Sequence, residues 1–497
     1  MSKKLEKSFL YKAIHIGVLM TYNLLLIPAL LKFWDLEIYG IWIALYVVFN
    51  LIKVFELGHS TFVGNEINRI VHTDALKAKH VLGSAVKANF IVAALQPLTV
   101  LLIYKLNLMS FFLDDNIDQQ EVVHVLLILF AYRFVLGSFR NLIQKVLNPF
   151  GLIYKMFQHA IIETIIEFCI LVIAAYSKMT LIELALLWFA VKTVMSLFML
   201  YDLKRMLPEF FPWWKHGDFK TGLRDMKASF SFALSNFLDR LGNDGIVLLV
   251  SAFVGTTFLP LFTATRTIVN FGLKLSDFFL TPLAPEMINL FSQAKTELIK
   301  NIFRAYWFFS SFLLIIGFVS SLFFMDWLFA VWTSGKLEFN IELYCFLAFI
   351  FLVKNYGKVL VVFFTSINKT SVILWTTIIR IVVIYGLTFL LSEYDIMAIL
   401  FSMFIAEFAV VSLWLPVFSL RLFNIRGVDR FNFFTNLITA LLVGLYFLFF
   451  IEGYFVLSGI TIVLVAGFLF RQYQLISPDL RENIWFRLRQ LTKFIRI

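Results

Sequence analysis

Apolar segments of about 20 residues recur along the whole 497-residue chain. At about 1.5 Å rise per residue, each can cross about 30 Å of hydrocarbon as a helix. About fourteen can be drawn, over approximately 9–31, 39–57, 81–106, 122–147, 157–176, 181–200, 230–254, 259–280, 302–330, 341–365, 371–391, 396–420, 433–451 and 454–470. In hydrocarbon every backbone N–H and C=O needs a partner inside the protein, and runs of this length satisfy that need as helices. Composition agrees: 61% of residues are hydrophobic and 15% charged, against about 45–50% and about 25% in soluble domains. The gaps between segments are too short to fold as separate domains. Cys169 and Cys345 both sit inside apolar runs, where a thiol behaves as a small buried hydrophobe, so neither a disulfide nor a metal site is expected. The first segment has a basic start but is too long for a signal peptide and lacks a small-x-small cleavage pattern, which makes it an uncleaved span.

A formal charge of +11 would suit nucleic acid only if the bases were gathered on a water-facing domain, and no stretch is long enough to form one. Membrane topology explains the charge instead. Counting from the N-terminus, the odd-numbered connections hold Asp114, Asp115, Asp118 and Glu121, then Glu393 and Asp395, then Glu452. The even-numbered ones hold Arg69, Lys77 and Lys79, the six bases between Lys204 and Lys227, then Lys295, Lys300 and Arg304, then Arg421, Arg426 and Arg430. With the basic N-terminus (Lys3, Lys4, Lys7) and C-terminus (Arg481, Arg487, Arg489, Lys493, Arg496) included, roughly 26 of the 43 Lys and Arg fall on the even side and about 4 on the odd, so both chain ends and the even connections are predicted to be cytoplasmic. The expected organisation is a six-helix lobe over 1–203, a cytoplasmic loop at 204–227, a second six-helix lobe over 228–422, two extra spans in 423–475 and an amphipathic cytoplasmic tail at 476–497. Six spans return the chain to its starting side, so the second block repeats in the same orientation, which suits two lobes around a central cavity. In the tail, Leu480, Ile484, Leu488, Leu491 and Ile495 recur at helical spacing between bases, the pattern of a helix lying on the membrane surface.

Charge at bilayer depth is costly, so charged side chains there usually face the bundle interior or a wet cavity. Helical phase groups them. Span two carries a stripe of Tyr46, Asn50, Lys53 and Glu56; span eight carries Arg266, Asn270, Lys274 and Asp277. Span four contributes Arg133, Arg140 and Gln144, span five Lys155, His159, Glu163 and Glu167, span seven Asp239, Arg240 and Asp244, span ten Lys354 and Lys358, and span eleven Arg380. Part of this set can pair with itself, with Lys53 to Glu56 and Asp239 to Arg240 as the local candidates. Cations still outnumber acids, and an uncancelled basic lumen suits an anionic ligand, phosphate above all. Titratable candidates for ion coupling are Glu56, Glu163, Glu167, Asp244 and Glu407. No GxxxxGK[ST] loop is present, so no nucleotide cofactor is expected.

The run from Ile38 to Arg69, with Pro28, Tyr39, Gly40, Glu56, Leu57 and Gly58, resembles the start of bacterial polysaccharide flippases of the multidrug/oligosaccharidyl-lipid/polysaccharide exporter (MOP) superfamily. The second half is similar to that family's seventh and eighth spans through Asp244, Gly255, Arg266 and Pro285. Departures are Pro260, Leu261 and Phe262 in place of a Gly-Tyr pair, and His59 after the acidic-Leu-Gly. The resemblance implies a non-enzymatic transporter of the inner membrane that moves undecaprenyl-pyrophosphate-linked oligosaccharide for O-antigen, capsule or exopolysaccharide, working beside a polymerase. It also implies that Lys53 and Arg266 meet the pyrophosphate; Arg133, Arg140, Asn270, Lys274, Lys354, Lys358 and Arg380 rest on helical phase. Competing readings are a peptidoglycan-precursor flippase, a drug or cation antiporter, whose buried surplus should be acidic, and a polytopic glycosyltransferase or polymerase. The last would have to use the acids between Leu113 and Glu121, a run better read as a solvated loop capping span four.

Overall fold

The structure, a computed structural model, describes residues 3–111, 117–280, 287, 290–291, 293–367, 369–415 and 428–478. Asp114, Asp115, Pro285 and the expected surface helix beyond residue 478 lie outside the described residues. Within them the chain is helical, with short connections and no strand. The helices of the first half are α1 (Lys3–Phe33), α2 (Leu36–Ile70), α3 (Ala75–Lys105), α4 (Gln119–Tyr132), α5 (Ser138–Gln144), α6 (Ile153–Tyr176), α7 (Leu181–Met206), α8 (Phe219–Asn243) and α9 (Gly245–Val254). They are followed by α10 (Leu259–Leu280), α11 (Thr296–Ser321), α12 (Met325–Trp332), α13 (Ile341–Ser366), α14 (Thr370–Leu390), α15 (Asp395–Ala409), α16 (Val428–Ile451) and α17 (Phe455–Gln474).

Each of the fourteen expected spans coincides, in its described part, with one helix or two consecutive ones. Among the described residues, ten helical segments are long and apolar enough to cross a membrane on length and composition alone. The other four expected spans carry the reason for their weaker signal. The α8–α9 pair is broken at Asp244, α10 holds Arg266 and Lys274, α15 is 15 residues long and continues through a π-helical turn at Val410–Trp414, and α16 is apolar mainly over Thr435–Ile451. The chain is an all-α polytopic membrane protein.

Polar residues in the connections start the helices. The side chains of Asp35, Asp74, Asp118, Asp218 and Asn340 accept from backbone N–H groups in the first turns of α2, α3, α4, α8 and α13. Thr180 and Glu183 form a reciprocal capping box on α7. Each cap satisfies one of the four N–H groups that a helix start leaves without an intrahelical partner.

The chain divides into two compact units, Met1–Thr263 with Trp332–Leu337, and Ala264–Val331 with Glu338–Ile497. The first holds the opening six spans together with α8 and α9. In it α2 runs along α8 and meets the turn after α9, and one glycine permits each approach. A Cβ on Gly58 would lie 2.3 Å from the backbone nitrogen of Ala233, and one on Gly40 would lie 2.0 Å from the carbonyl oxygen of Thr256. Eighteen residues separate the two glycines, five turns at about 3.6 residues each, so they share one face of α2.

The connections of this unit sort by parity. At one end His72 bonds Pro149 O at 3.2 Å, His80 bonds Asp218 at 2.9 Å and Phe150 packs edge-on to Phe210, which joins connections two, four and six. At the other end Thr256 meets Gly40 and the Lys336 ammonium donates to Trp34 O at 3.3 Å, which joins connections one, seven and nine.

Candidate functional site

Four helical spans of the first unit bring their charged residues into one buried cluster. Glu56 on α2 is fully buried. One of its oxygens accepts from both the Arg133 guanidinium and the Ser138 hydroxyl, the latter at 2.7 Å. Those two donors stand five residues apart, which on a regular α-helix would turn them about 140° from each other. The chain between them, Arg133–Gly137, is a π-helical turn closed by the N–H of Ser138 on the carbonyl of Arg133, and the wider turn brings both onto one carboxylate. Gly137 belongs to the same arrangement, because a Cβ there would come within 2.8 Å of the Tyr132 ring. Such π turns are rare and are frequently found at functional sites.

A second carboxylate, Glu163 on α6, is held by two cations: Arg140 Nη2 from α5 at 3.0 Å and Lys192 Nζ from α7 at 3.0 Å. Lys192 also donates to Glu167 at 2.5 Å, and the Tyr46 hydroxyl on α2 donates to the other oxygen of Glu167 at 2.9 Å. The Lys192 ammonium lies over the Trp188 ring. Nearer the end of the same helices, His159 Nε2 donates to Asp202 at 3.0 Å with Lys155 at 3.8 Å, while Gln144 donates to His159 Nδ1.

Lys53 differs from the other cations. Its ammonium reaches Asn50 Oδ1 at 3.4 Å and lies over the Phe49 ring, and no carboxylate of the described residues stands at ion-pair distance. Glu56, Glu163 and Glu167 are taken by Arg133, Arg140 and Lys192. Four cations therefore face three acids, and the excess charge is on Lys53.

In the second unit one carboxylate again serves two cations. Glu407 on α15 is bound by Arg380 of α14 at 2.9 Å and by Lys354 of α13 at 3.7 Å. Lys358 donates to the carbonyl of Leu273 at 3.2 Å. A neutral network of Ser276, Tyr306, Ser310 and Asn355, with contacts of 2.6–2.9 Å, joins α10, α11 and α13. Arg266 and Asn270 are half-buried on α10, and Lys274 is exposed.

The structure thus collects Lys53, Glu56, Arg133, Arg140, Glu163 and Glu167 in one unit and Lys354, Arg380 and Glu407 in the other. Asp244 stands apart, bound to Arg240 at 2.6 Å where α8 gives way to α9. Neither local pair suggested by adjacency forms: Glu56 takes Arg133 in place of Lys53, and Arg240 takes Asp244 in place of Asp239. Sequence reading also passed over Lys192 and Asp202. Their signal was phase, since Lys192, Ser196 and Met199 follow at helical spacing within a run otherwise free of charge.

No protein-family model and no curated protein matches the sequence. Solved structures do match the fold. An inward-facing multidrug resistance MATE family transporter of the MOP superfamily superposes with a TM-score of 0.67 at 14% identity, covering 81% of this chain and 94% of that one. The fold is that of MOP superfamily transporters. The lipid II flippase MurJ in an inward closed conformation gives a TM-score of 0.62 at 13% identity over 94% of this chain and 99% of that one. A MOP superfamily transporter from Pyrococcus furiosus, described by the reverse polarity of its binding pocket, gives 0.54 at 14% over 85% and 97%.

Proposed function

We propose that this protein is a flippase that carries an undecaprenyl-pyrophosphate-linked oligosaccharide across the bacterial cytoplasmic membrane by alternating access, for the synthesis of a surface polysaccharide. The observation that carries the reading is the excess cation on Lys53. A cationic drug calls for buried carboxylates in excess; here the three acids of the cluster are already engaged, and the remaining charge is positive. A phosphate-bearing cargo is the complementary ligand. In this reading Lys53 and Arg266 meet the pyrophosphate, and both chain ends face the cytoplasm.

The second reading is a flippase for a peptidoglycan lipid precursor. It is favoured by coverage, since the MurJ structure takes in 94% of this chain against 81% for the MATE transporter. The polysaccharide reading is preferred on the resemblance from Ile38 to Arg69.

Lipid-linked glycan should be measured in cells lacking the protein, complemented with wild type, Lys53→Ala or Arg266→Ala. Repeat units on undecaprenyl pyrophosphate should accumulate on the cytoplasmic leaflet, and only the wild type should clear them. Accumulation of the peptidoglycan precursor alone would select the second reading. If surface glycan is unchanged and no lipid-linked intermediate accumulates, the reading of a glycolipid cargo fails.

A further inference from the structure

Between α1 and α6, within the first unit, lies a cavity of about 380 Å³. Its walls include Gly17, Thr21, Tyr22 and Leu25 on one face of α1 and Thr164 and Phe168 on α6, and they are mostly apolar. The wall is open at Gly17, where a Cβ would meet nothing within 4 Å. The Tyr22 ring packs edge-on to Phe168 across the slot, with centroids 6.3 Å apart. The slot adjoins the charged cluster. Glu163 and Glu167 stand on α6 beside the wall residues Thr164 and Phe168; the Tyr46 hydroxyl donates to Glu167 at 2.9 Å, its ring lies 6.4 Å from that of Phe49, and the Lys53 ammonium sits over the Phe49 ring. An apolar slot thus stands near a cation that has no carboxylate at ion-pair distance among the described residues.

We infer that the slot takes the head-proximal segment of the polyisoprenoid chain of the lipid-linked cargo, with Lys53 holding its phosphate end. The inference rests on the flippase reading and adds the place where the hydrocarbon enters. Charge chooses this occupant over the others. A membrane phospholipid also bears a phosphate but keeps it at the bilayer surface, whereas a translocated cargo brings its phosphate into the interior where Lys53 stands; a cationic drug would be repelled by Lys53. At about 380 Å³ the slot is at the small end of ligand pockets, about 300–1,000 Å³, so it fits a segment of a long chain, and the remainder stays in lipid.

The test uses the full-length protein in phosphatidylethanolamine and phosphatidylglycerol vesicles. The probe is undecaprenyl pyrophosphate with a photoreactive diazirine on its first isoprene unit, and adducts are mapped by peptide mass spectrometry. Adducts are expected on 14–25 and 164–168. Gly17→Leu, which fills the slot, should cut them at least tenfold, and Thr164→Phe, filling from the other side, should do the same. Gly386→Leu is the control, since that glycine also has open space around it but lies on α14 in the other unit; it should label as wild type does. Lys53→Ala should lower labelling without moving it.

Labelling that survives both filling variants overturns the inference, as does equal labelling of the slot by diazirine-tagged phosphatidylglycerol. Adducts that unlabelled undecaprenyl pyrophosphate displaces, but that fall elsewhere on the chain, overturn the slot and leave the flippase reading standing. If no adduct anywhere is displaced by unlabelled undecaprenyl pyrophosphate, both fail together.

Discussion

Removing Lys192 and removing Lys53 should have opposite effects, although both are lysines in the same cluster. Lys192 is buried and joins Glu163 to Glu167. Without it Glu167 keeps only the Tyr46 hydroxyl, and a buried charge left without its counter-ion costs about 3–5 kcal/mol. Lys192→Ala should therefore lower the unfolding free energy in detergent by about that amount, with Lys192→Arg restoring most of it; an unchanged stability would mean that Glu167 finds water or another donor. Lys53→Ala removes a cation with no acid to strand, so stability should hold or rise while binding of undecaprenyl pyrophosphate weakens about 10- to 100-fold, as expected for a hydrogen bond to a charged group worth about 1.5–3 kcal/mol. Loss of stability in Lys53→Ala without loss of binding would make it a structural residue. These assignments mark what was legible at this scale. Helical phase put Tyr46, Asn50, Lys53 and Glu56 on one stripe, but the partner of Glu56 lies 77 residues away, and periodicity carries no information about another helix. Asp239 and Arg240 could not pair as neighbours because adjacent residues on a helix do not face each other.

At the scale of elements, the start of α8 is set by a single aspartate. Asp218 accepts from Thr221 N at 2.7 Å and from His80 Nε2 at 2.9 Å, and its backbone N–H donates to Ser84 Oγ on α3 at 2.9 Å. The hydrogen bond from Thr221 is the main cause that holds its carboxyl down to about 2, below the usual value of about 3.9. Because the folded value is depressed, the contribution of the charged cap is complete above about pH 4 and is lost as pH falls through about 2. An asparagine in its place would cap almost as well but carries no charge for the helix N-terminus. Unfolding midpoints of wild type and Asp218→Asn should thus differ by a constant amount from pH 7 down to about 4 and converge by about pH 2. A difference that stays flat to pH 2 would show that the carboxylate charge does nothing for α8. Caps of this kind were partly visible in the sequence, since acids in the loop before span four were read as capping it and Asp118 does so. The two π-helical turns were not visible, because a five-residue spacing of Arg133 and Ser138 acquires meaning only once Glu56 is seen between them.

At the scale of the whole molecule the open question is how many times the chain crosses. Apolarity alone supports ten crossings among the described residues, and the charge alternation supports fourteen. Packing in the first unit favours the larger count for α8 and α9. Asp218, before α8, bonds His80 near the start of α3, whereas Thr256, after α9, touches Gly40 near the start of α2. The start of α2 and the start of α3 lie at opposite ends of consecutive antiparallel spans, so α8 and α9 together traverse the same thickness. The hydropathy of α8 is low because it carries Asp239 and Arg240 ahead of the break at Asp244, whereas α9 is apolar and uncharged, and polar groups on a span mark a side that does not face lipid. Single cysteines decide the matter, in a background of Cys169→Ser and Cys345→Ala. Thr257→Cys, in the exposed turn after α9, should react with a membrane-impermeant maleimide from outside intact cells, and Arg426→Cys should react only after permeabilisation. A ten-span chain that omits the seventh, eighth, twelfth and thirteenth spans predicts the reverse at both positions. His72→Cys and Ser177→Cys calibrate the assay, because both schemes place the first inside and the second outside. If His72→Cys labels from outside, the N-terminus is not cytoplasmic, the basic connections face the wrong way for the positive-inside rule, and the direction of transport proposed for the cargo must be inverted with them.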